Sequence, residues 1–204
     1  MSNPSFVHLD VNTQYSLGRS TIRQDQLIDA CTDMGMPAVG VTDHNNLFSA
    51  YKLYKSAQKK GIKYIIGSTV TILDQKERIK SKLSLLCENE TGYKNLCALI
   101  TQSYTEKLDK NEPLIDKKWL ESRTEGLIAI SSSNKGYLQQ SKSMDESMAL
   151  QWINGLQELF PDRLFVSISR MGIPNEEKVN QLTIELSTNF KIPIVAVNNP
   201  IFIE

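Results

Sequence analysis

Residues 38–67 read AVGVTDHNNLFSAYKLYKSAQKKGIKYIIG. An apolar run, Ala38 to Thr42, gives way to a segment whose apolar residues Leu47, Ala50, Tyr51, Tyr54 and Ala57 recur every three or four positions, and a second apolar run, Tyr64 to Gly67, follows. A buried strand, an amphipathic helix and another buried strand make up the repeating unit of a largely parallel sheet or barrel. Gly61 suits the stop of the helix, and Gly67 suits a close approach of backbones.

The same alternation extends in both directions. Strands are predicted at Phe6 to Val11, Leu83 to Cys87, Leu127 to Ser131, Leu164 to Ile168 and Pro193 to Val197, which brings the count to seven, mostly apolar and rich in Val and Ile. Helical stripes run through Tyr93, Leu96, Cys97, Ile100 and Tyr104, through Met148, Trp152, Ile153, Leu156 and Leu159, and through Val179, Leu182 and Leu186. The last opens near Pro174-Asn175-Glu176-Glu177, where acids favour a helix N-terminus. The tyrosines and tryptophans of these stripes are assigned to the core. Leu73 to Ser81 (LDQKERIKS) and Lys107 to Pro113 read as exposed loops because charge is dense there and no apolar period survives. The fold class is α/β.

A chain of 204 residues that is 40% hydrophobic buries one good core. With no internal repeat, low-complexity stretch or linker, residues 1–204 read as a single domain. Lys plus Arg and Asp plus Glu both number 23, so no net field draws the molecule to a polyanion or an anionic membrane. Lys59, Lys60, Lys76, Arg78, Lys80 and Lys82 alternate with acids and amides and read as a solvated face; a DNA-contacting arm at Lys76 to Lys82 is the weaker alternative. Cys31, Cys87 and Cys97 are odd in number and lie in apolar stretches, as reduced core thiols of a cytoplasmic protein do. The first residues have no signal-peptide pattern, and no apolar run reaches the ~18 residues of a membrane span.

Chemistry in parallel α/β folds sits at the C-terminal ends of strands. The polar residues there are Asp10 and Asn12, then Thr42-Asp43-His44-Asn45, Ser68 and Thr69, Ser131-Ser132-Ser133, Ser167 and Ser169, and Asn198-Asn199. A hydrolytic metal cluster needs several converging His and carboxylate ligands, and the chain has only His8 and His44. Asp10, Asp43 and His44 form the one conceivable minimal ion site, with Asn12 and Asn199 offering neutral oxygens. A Ser131-His44-Asp43 triad can be drawn, but adjacent Asp and His seldom orient each other, and no GxSxG elbow is present. His8, inside an apolar tract, reads as a hydrogen-bonded histidine in or near the core. No GxGxxG or GxxxxGKS loop occurs, which excludes nucleotide binding by those motifs.

Residues 6–17 (FVHLDVNTQYSL), 33–68 (DMGMPAVGVTDHNNLFSAYKLYKSAQKKGIKYIIGS), 88–100 (ENETGYKNLCALI), 113–132 (PLIDKKWLESRTEGLIAISS), 160–177 (FPDRLFVSISRMGIPNEE) and 193–203 (PIVAVNNPIFI) resemble, in order, the N-terminal PHP (polymerase and histidinol phosphatase) domain of bacterial DNA polymerase III alpha subunits. That resemblance implies a distorted seven-stranded (β/α) barrel and a chain that continues beyond Phe202-Ile203-Glu204 into a much larger subunit. In family members with an intact site, an HxH pair, a TDH histidine, a glutamate and a DxH pair bind metal ions. The match puts Asp10-Val-Asn12 at the first pair, Thr69 at the glutamate, Asn199-Pro-Ile201 at the last pair, and Ser167 where family sequences often carry glutamate. Of these positions only His44 keeps the expected ligand type.

The resemblance therefore implies a vestigial pocket of Asp10, Asn12, Asp43, His44, Thr69, Ser167, Asn199 and Ile201, with no catalytic residue, metal or cofactor expected in this segment. Magnesium belongs, by the same resemblance, to the polymerase domain further along. The implied role is a structural brace and docking surface for the proofreading 3′-5′ exonuclease subunit, in contact with the remaining polymerase domains, with DNA only indirectly and with no membrane. The alternative is a metal-dependent phosphoesterase with a reduced site.

Overall fold

A computed structural model describes residues 6–75, 79–106, 108–109, 112–132 and 146–203 of the chain. Ser133, Lys76, Arg78, Lys107 and Glu204, singled out above, lie outside the described residues.

The elements run α1 (Gln24–Asp33), β1 (Ala38–His44), α2 (Ala50–Lys60), β2 (Lys63–Asp74), β3 (Ile79–Cys87), α3 (Glu90–Thr105), β4 (Leu108–Asp109), β5 (Glu112–Pro113), β6 (Ile115–Asp116), α4 (Lys117–Leu120), β7 (Leu127–Ser132), α5 (Glu146–Leu159), β8 (Leu164–Ile168), α6 (Glu176–Phe190) and β9 (Ile194–Ala196). Seven strands form one curled α/β sheet in the order β1-β2-β3-β7-β8-β9, with β6 added beside β2. Neighbours are parallel at β1–β2, β7–β8 and β8–β9, but β3 runs antiparallel to both β2 and β7. The β2–β6 pairing is parallel too, so the sheet is mixed, largely parallel with β3 as its one reversed strand.

Several expectations need correction. Phe6 to Val11 is not a strand: it lies alongside β1 with a single bridge, Val11 to Val41, and the seventh strand is β6. Leu73 to Ser81 is not an exposed loop either, because β2 and β3 reach into it as the arms of a long hairpin pairing Asp74 with Ile79. Alternation explains this: Ile79, Ser81 and Leu83 are buried, while Lys80 and Lys82 between them face the other way. Within Lys107 to Pro113, β4 and β5 pair as a small hairpin. Two helices, α1 and α4, were not predicted; α1 is mostly polar and turns only Leu27, Ile28 and Cys31 inward.

The main core lies between the sheet and α3, α5 and α6, and includes Leu83, Leu85, Leu96, Leu99, Trp152, Leu156 and Phe160. A second cluster packs Ile28, Cys31, Leu53 and Ala57 of α1 and α2 against Val39 and Val41 of β1. The face α2 turns inward is therefore Ala50, Leu53 and Ala57, whereas Tyr51 is 70% and Tyr54 50% exposed, against the assignment of these rings to the core. Small alanines let the helix sit close to the sheet, and the phenols keep their water. Gly61 ends α2 at φ 70°, and Gly67 has no room for a Cβ, which would lie 2.6 Å from the Leu85 carbonyl. Cys31 is buried, Cys87 and Cys97 are half-buried, and all three are free thiols.

The curl is completed by irregular chain. The Val11 amide donates to Gly40 and Thr42 donates to Val11, tying the first tract to β1. On the other side, Asn199 Nδ2 donates to the Asp10 carbonyl at 2.8 Å, and the Thr21 amide donates to the Ile201 carbonyl at 2.8 Å. No helix is long and apolar enough to cross a membrane among the described residues.

Candidate functional site

The C-terminal end of β1 and the middle of β2 meet the tract around Asp10, because His44 registers with Thr69 and Asp43 with Ser68, and β2 runs on to Asp74. Side chains alternate along a strand, so Thr42 and His44 share one face of β1 and Asp43 points from the other. This splits the predicted residues into two groups.

On the inner face, Asp10 is a buried hub. Its Oδ1 accepts from Thr42 Oγ1 at 2.5 Å and from Thr69 Oγ1 and Ser84 Oγ at 3.5 Å each, while Thr69 and Ser84 bond to one another at 2.9 Å. Asn12 donates to the Thr42 carbonyl at 2.7 Å, and its Oδ1 receives Asn199 Nδ2 at 3.4 Å. Asp10, Asn12, Thr69 and Asn199 are therefore brought together. Ser84 joins them from within β3, and because β3 is antiparallel it follows no strand end and carries no strand-end signal in the sequence.

On the opposite face, Asp43 is enclosed by donors. Oδ1 accepts from the Thr13 amide and Ser16 Oγ, and Oδ2 accepts from Thr13 Oγ1 and Ser49 Oγ, all at 2.7 Å. Ser49 precedes α2 but gives its hydroxyl to Asp43 rather than to the helix N-terminus. Asp43 and Asp10 thus do not converge on one ion. Ser131 is buried on β7, and neither Ser131 nor Asp43 bonds the His44 ring, so the triad does not form.

His44 keeps different company. Its Nε2 lies 3.3 Å from Asn45 Nδ2 and 3.5 Å from Glu112 Oε1. Glu112 also accepts from Thr71 Oγ1 at 3.1 Å and pairs with Lys80 Nζ at 2.8 Å. Glu112 lies in the segment read as a loop, and nothing in the sequence links it to a histidine so far away. Burial, helped by the positive charges of Lys82 and Arg19 and opposed by Glu112, pushes the imidazole down to about 4. For Glu112, burial alone would raise the carboxyl, but Lys80, Thr71 and His44 outweigh it and hold it down at about 2.

Ser167 is fully buried on β8. The side chain of Ile201 is 40% exposed, and only its carbonyl takes part, accepting from Ser20 and Thr21. His8 is not hydrogen-bonded through its ring as expected: its Nδ1 is buried without a partner among the described residues, and the ring stands edge-on to Phe6 at 4.8 Å. Lys60 pairs with Asp29 and Lys80 with Glu112, so those two basic residues are partly neutralised.

A stability profile tests the His44 environment. The folded imidazole takes its proton near pH 4 and the unfolded one near 6.5, so the unfolded chain binds more protons in between. The contribution of His44 to stability is full above about pH 6.5, is lost as the pH drops through that window and is gone near pH 4, a loss of up to about 3 kcal/mol from this residue. Urea unfolding followed across that range should show the slope in the wild type and a flatter one in His44→Gln. Equal slopes would refute the assignment.

Comparison with known proteins supplies the family. The model of the PHP domain family matches residues 8–171. The DNA polymerase III alpha subunit of Pseudomonas aeruginosa is 35% identical over 98% of this chain, and that of Escherichia coli K12 is 34% identical over 100%. The match is to the N-terminal region of such subunits, and the chain spans only 17% and 18% of their lengths. A solved structure of a proposed metal-dependent phosphoesterase from Bifidobacterium adolescentis superposes with a TM-score of 0.65 at 10% identity, covering 96% of this chain and 87% of that one.

Proposed function

The chain belongs to the PHP domain family, and from that premise we propose that residues 1–204 serve as a non-catalytic domain of a cytoplasmic replicative DNA polymerase III alpha subunit. In this reading it braces the polymerase body and docks the proofreading 3′-5′ exonuclease subunit during DNA replication, and it touches DNA only indirectly.

The observation that carries the proposal is the state of the oxygens in the vestigial pocket. All four donors around Asp43 would have to be displaced before a cation could take that carboxylate. Asp10 accepts from three hydroxyls, the side-chain nitrogens of Asn12 and Asn199 donate to backbone carbonyls, Asn12 Oδ1 faces Asn199 Nδ2, and Ile201 brings no donor side chain. Among the described residues, no three His, Cys, Asp or Glu side chains form a metal-holding group. These residues do not fit a cluster of divalent ions, whose charge must be balanced by anionic ligands before a bound water can be activated. A hydrogen-bonded polar plug suits a brace, because every buried group in it has a partner and holds the strand ends in register.

Plasma mass spectrometry of the chain, purified without chelator from metal-supplemented medium, tests the first half. Zinc, manganese and iron well below one ion per chain are expected, with no hydrolysis of p-nitrophenyl phosphate above buffer. One or more ions per chain, lost on His44→Ala, would overturn the proposal in favour of a reduced-site phosphoesterase. Co-elution with the purified exonuclease subunit on gel filtration tests the second half.

A further inference from the structure

Tyr51 and Tyr54 of α2, Tyr64 of β2 and Tyr93 of α3 line one groove of about 610 Å³, and Glu88 and Glu90 edge it at the start of α3. Tyr64 packs against the second core cluster, but the core does not account for the other three rings. The inward face of α2 is complete without Tyr51 and Tyr54, and Tyr93 is 39% exposed on α3. An exposed tyrosine offers a rigid, amphipathic ring at little entropic cost, which is why such rings recur where proteins meet. Half-buried Ile66 and Cys87 give the groove an apolar floor.

Charge indicates what fits. Among the described residues no Lys, Arg or His lines the groove, and the charged groups that do are the two carboxylates. Ring faces and carboxylates both attract cations, and their effects add where solvent is thinned. The chain already uses one of these rings in this way, since Lys55 Nζ sits 5.5 Å from the centroid of Tyr51. Glu90 pairs with Lys94, one turn on, in a pair whose side chains are both largely exposed and therefore easily exchanged. Bases of a single-stranded nucleic acid could stack on tyrosines, but their phosphates would meet Glu88 and Glu90.

We propose that this groove receives a lysine or arginine side chain on a peptide segment of a partner protein, its aliphatic stem on the apolar floor and its charge between the rings and the carboxylates. The proposal rests on the docking reading above and specifies the surface and the chemistry through which docking occurs.

The test uses the full chain and three end-blocked tripeptides, Leu-Arg-Leu, Leu-norleucine-Leu and Leu-Glu-Leu, with tyrosine ring signals followed by NMR. The arginine peptide should shift the Tyr54 and Tyr93 rings saturably, bind at least about tenfold more tightly than the norleucine peptide, and weaken at high salt. The double substitution Glu88→Gln with Glu90→Gln should cost about tenfold as well, and both sites are exposed enough to leave the fold intact. No saturable shift at about 10 mM, equal binding of norleucine, or preferential binding of an oligothymidylate would overturn the proposal. Gel filtration with the exonuclease subunit separates the two readings. A complex that survives Tyr54→Ser with Tyr93→Ser overturns the groove and leaves docking standing. The absence of any complex, alongside tight binding of the arginine peptide, overturns that docking partner and leaves the groove.

Discussion

Replacing Asp43 with alanine is expected to cost the fold about 4 kcal/mol, and replacing it with asparagine about half as much. Alanine strands four donors, of which the Thr13 amide is the least able to turn elsewhere, because it belongs to the backbone. The hydroxyls of Thr13, Ser16 and Ser49 can rotate, but each sits in a buried pocket with few other acceptors. Asparagine keeps one oxygen for Thr13 and Ser16 and presents an amine to two hydroxyls that can turn to accept it, so what it loses is charge assistance. Urea unfolding of the two variants beside the wild type measures the ladder. An alanine variant within about 1 kcal/mol of wild type would end the claim that Asp43 knits residues 13–16 to β1 and α2.

Gly92→Ala carries the second large effect, and its sign opposes helix propensity. Within a helix, glycine to alanine ordinarily gains about 1 kcal/mol. Here a Cβ would lie 1.8 Å from the Gly126 carbonyl oxygen and 2.5 Å from its carbon, both backbone atoms that cannot swing aside. Relief requires the first turn of α3 to lift off the turn before β7. That movement strains the Glu88 amide bond to Gly126, the Asn95 side-chain bond to Glu125 and the packing of Leu96 and Leu99. A net loss of about 3 kcal/mol or more is expected, with overpacking outweighing propensity. A thermal melt of Gly92→Ala at or above the wild-type midpoint would show that the crossing is looser than described.

Most of the sheet was legible because buried strands announce themselves as Val- and Ile-rich runs, and β1, β7, β8 and β9 fall where those runs lie. Strand direction leaves no such mark, so β3 passed for parallel. Connection length did not help either: the runs Tyr64 to Gly67 and Leu83 to Cys87 leave residues 68–82 between them, enough for a parallel crossover, and only the extension of β2 to Asp74 and of β3 back to Ile79 shortens the link to a hairpin. Phe6 to Val11 has a strand's composition, yet it turns Asp10 inward and passes so near β1 that a Cβ on Gly40 would sit 3.0 Å from Leu9 Cα. For the site, strand-end logic found Asp10, Asn12, Thr69 and Asn199, which do meet. It found Asp43 but missed its partners, because Thr13, Ser16 and Ser49 are ordinary loop residues whose convergence only the fold creates, and it missed Glu112, whose link to His44 depends on the fold bringing β5 beside β2.

The seam between the first tract and the last sets an order of assembly. Asp10 and Asn199 stand 189 positions apart, whereas β1 and β2 pair across a single helix. Neighbouring strands can find one another early, but the seam has to wait until the residues around Ile201 are present and β9 has docked, which makes it a late event on any folding route. The Thr21 amide reports on that moment, since its acceptor is the Ile201 carbonyl. In a refolding reaction sampled by pulsed hydrogen exchange, Thr21 should gain protection after Val41 and Ile130; simultaneous protection would mean that the ring closes in one concerted step.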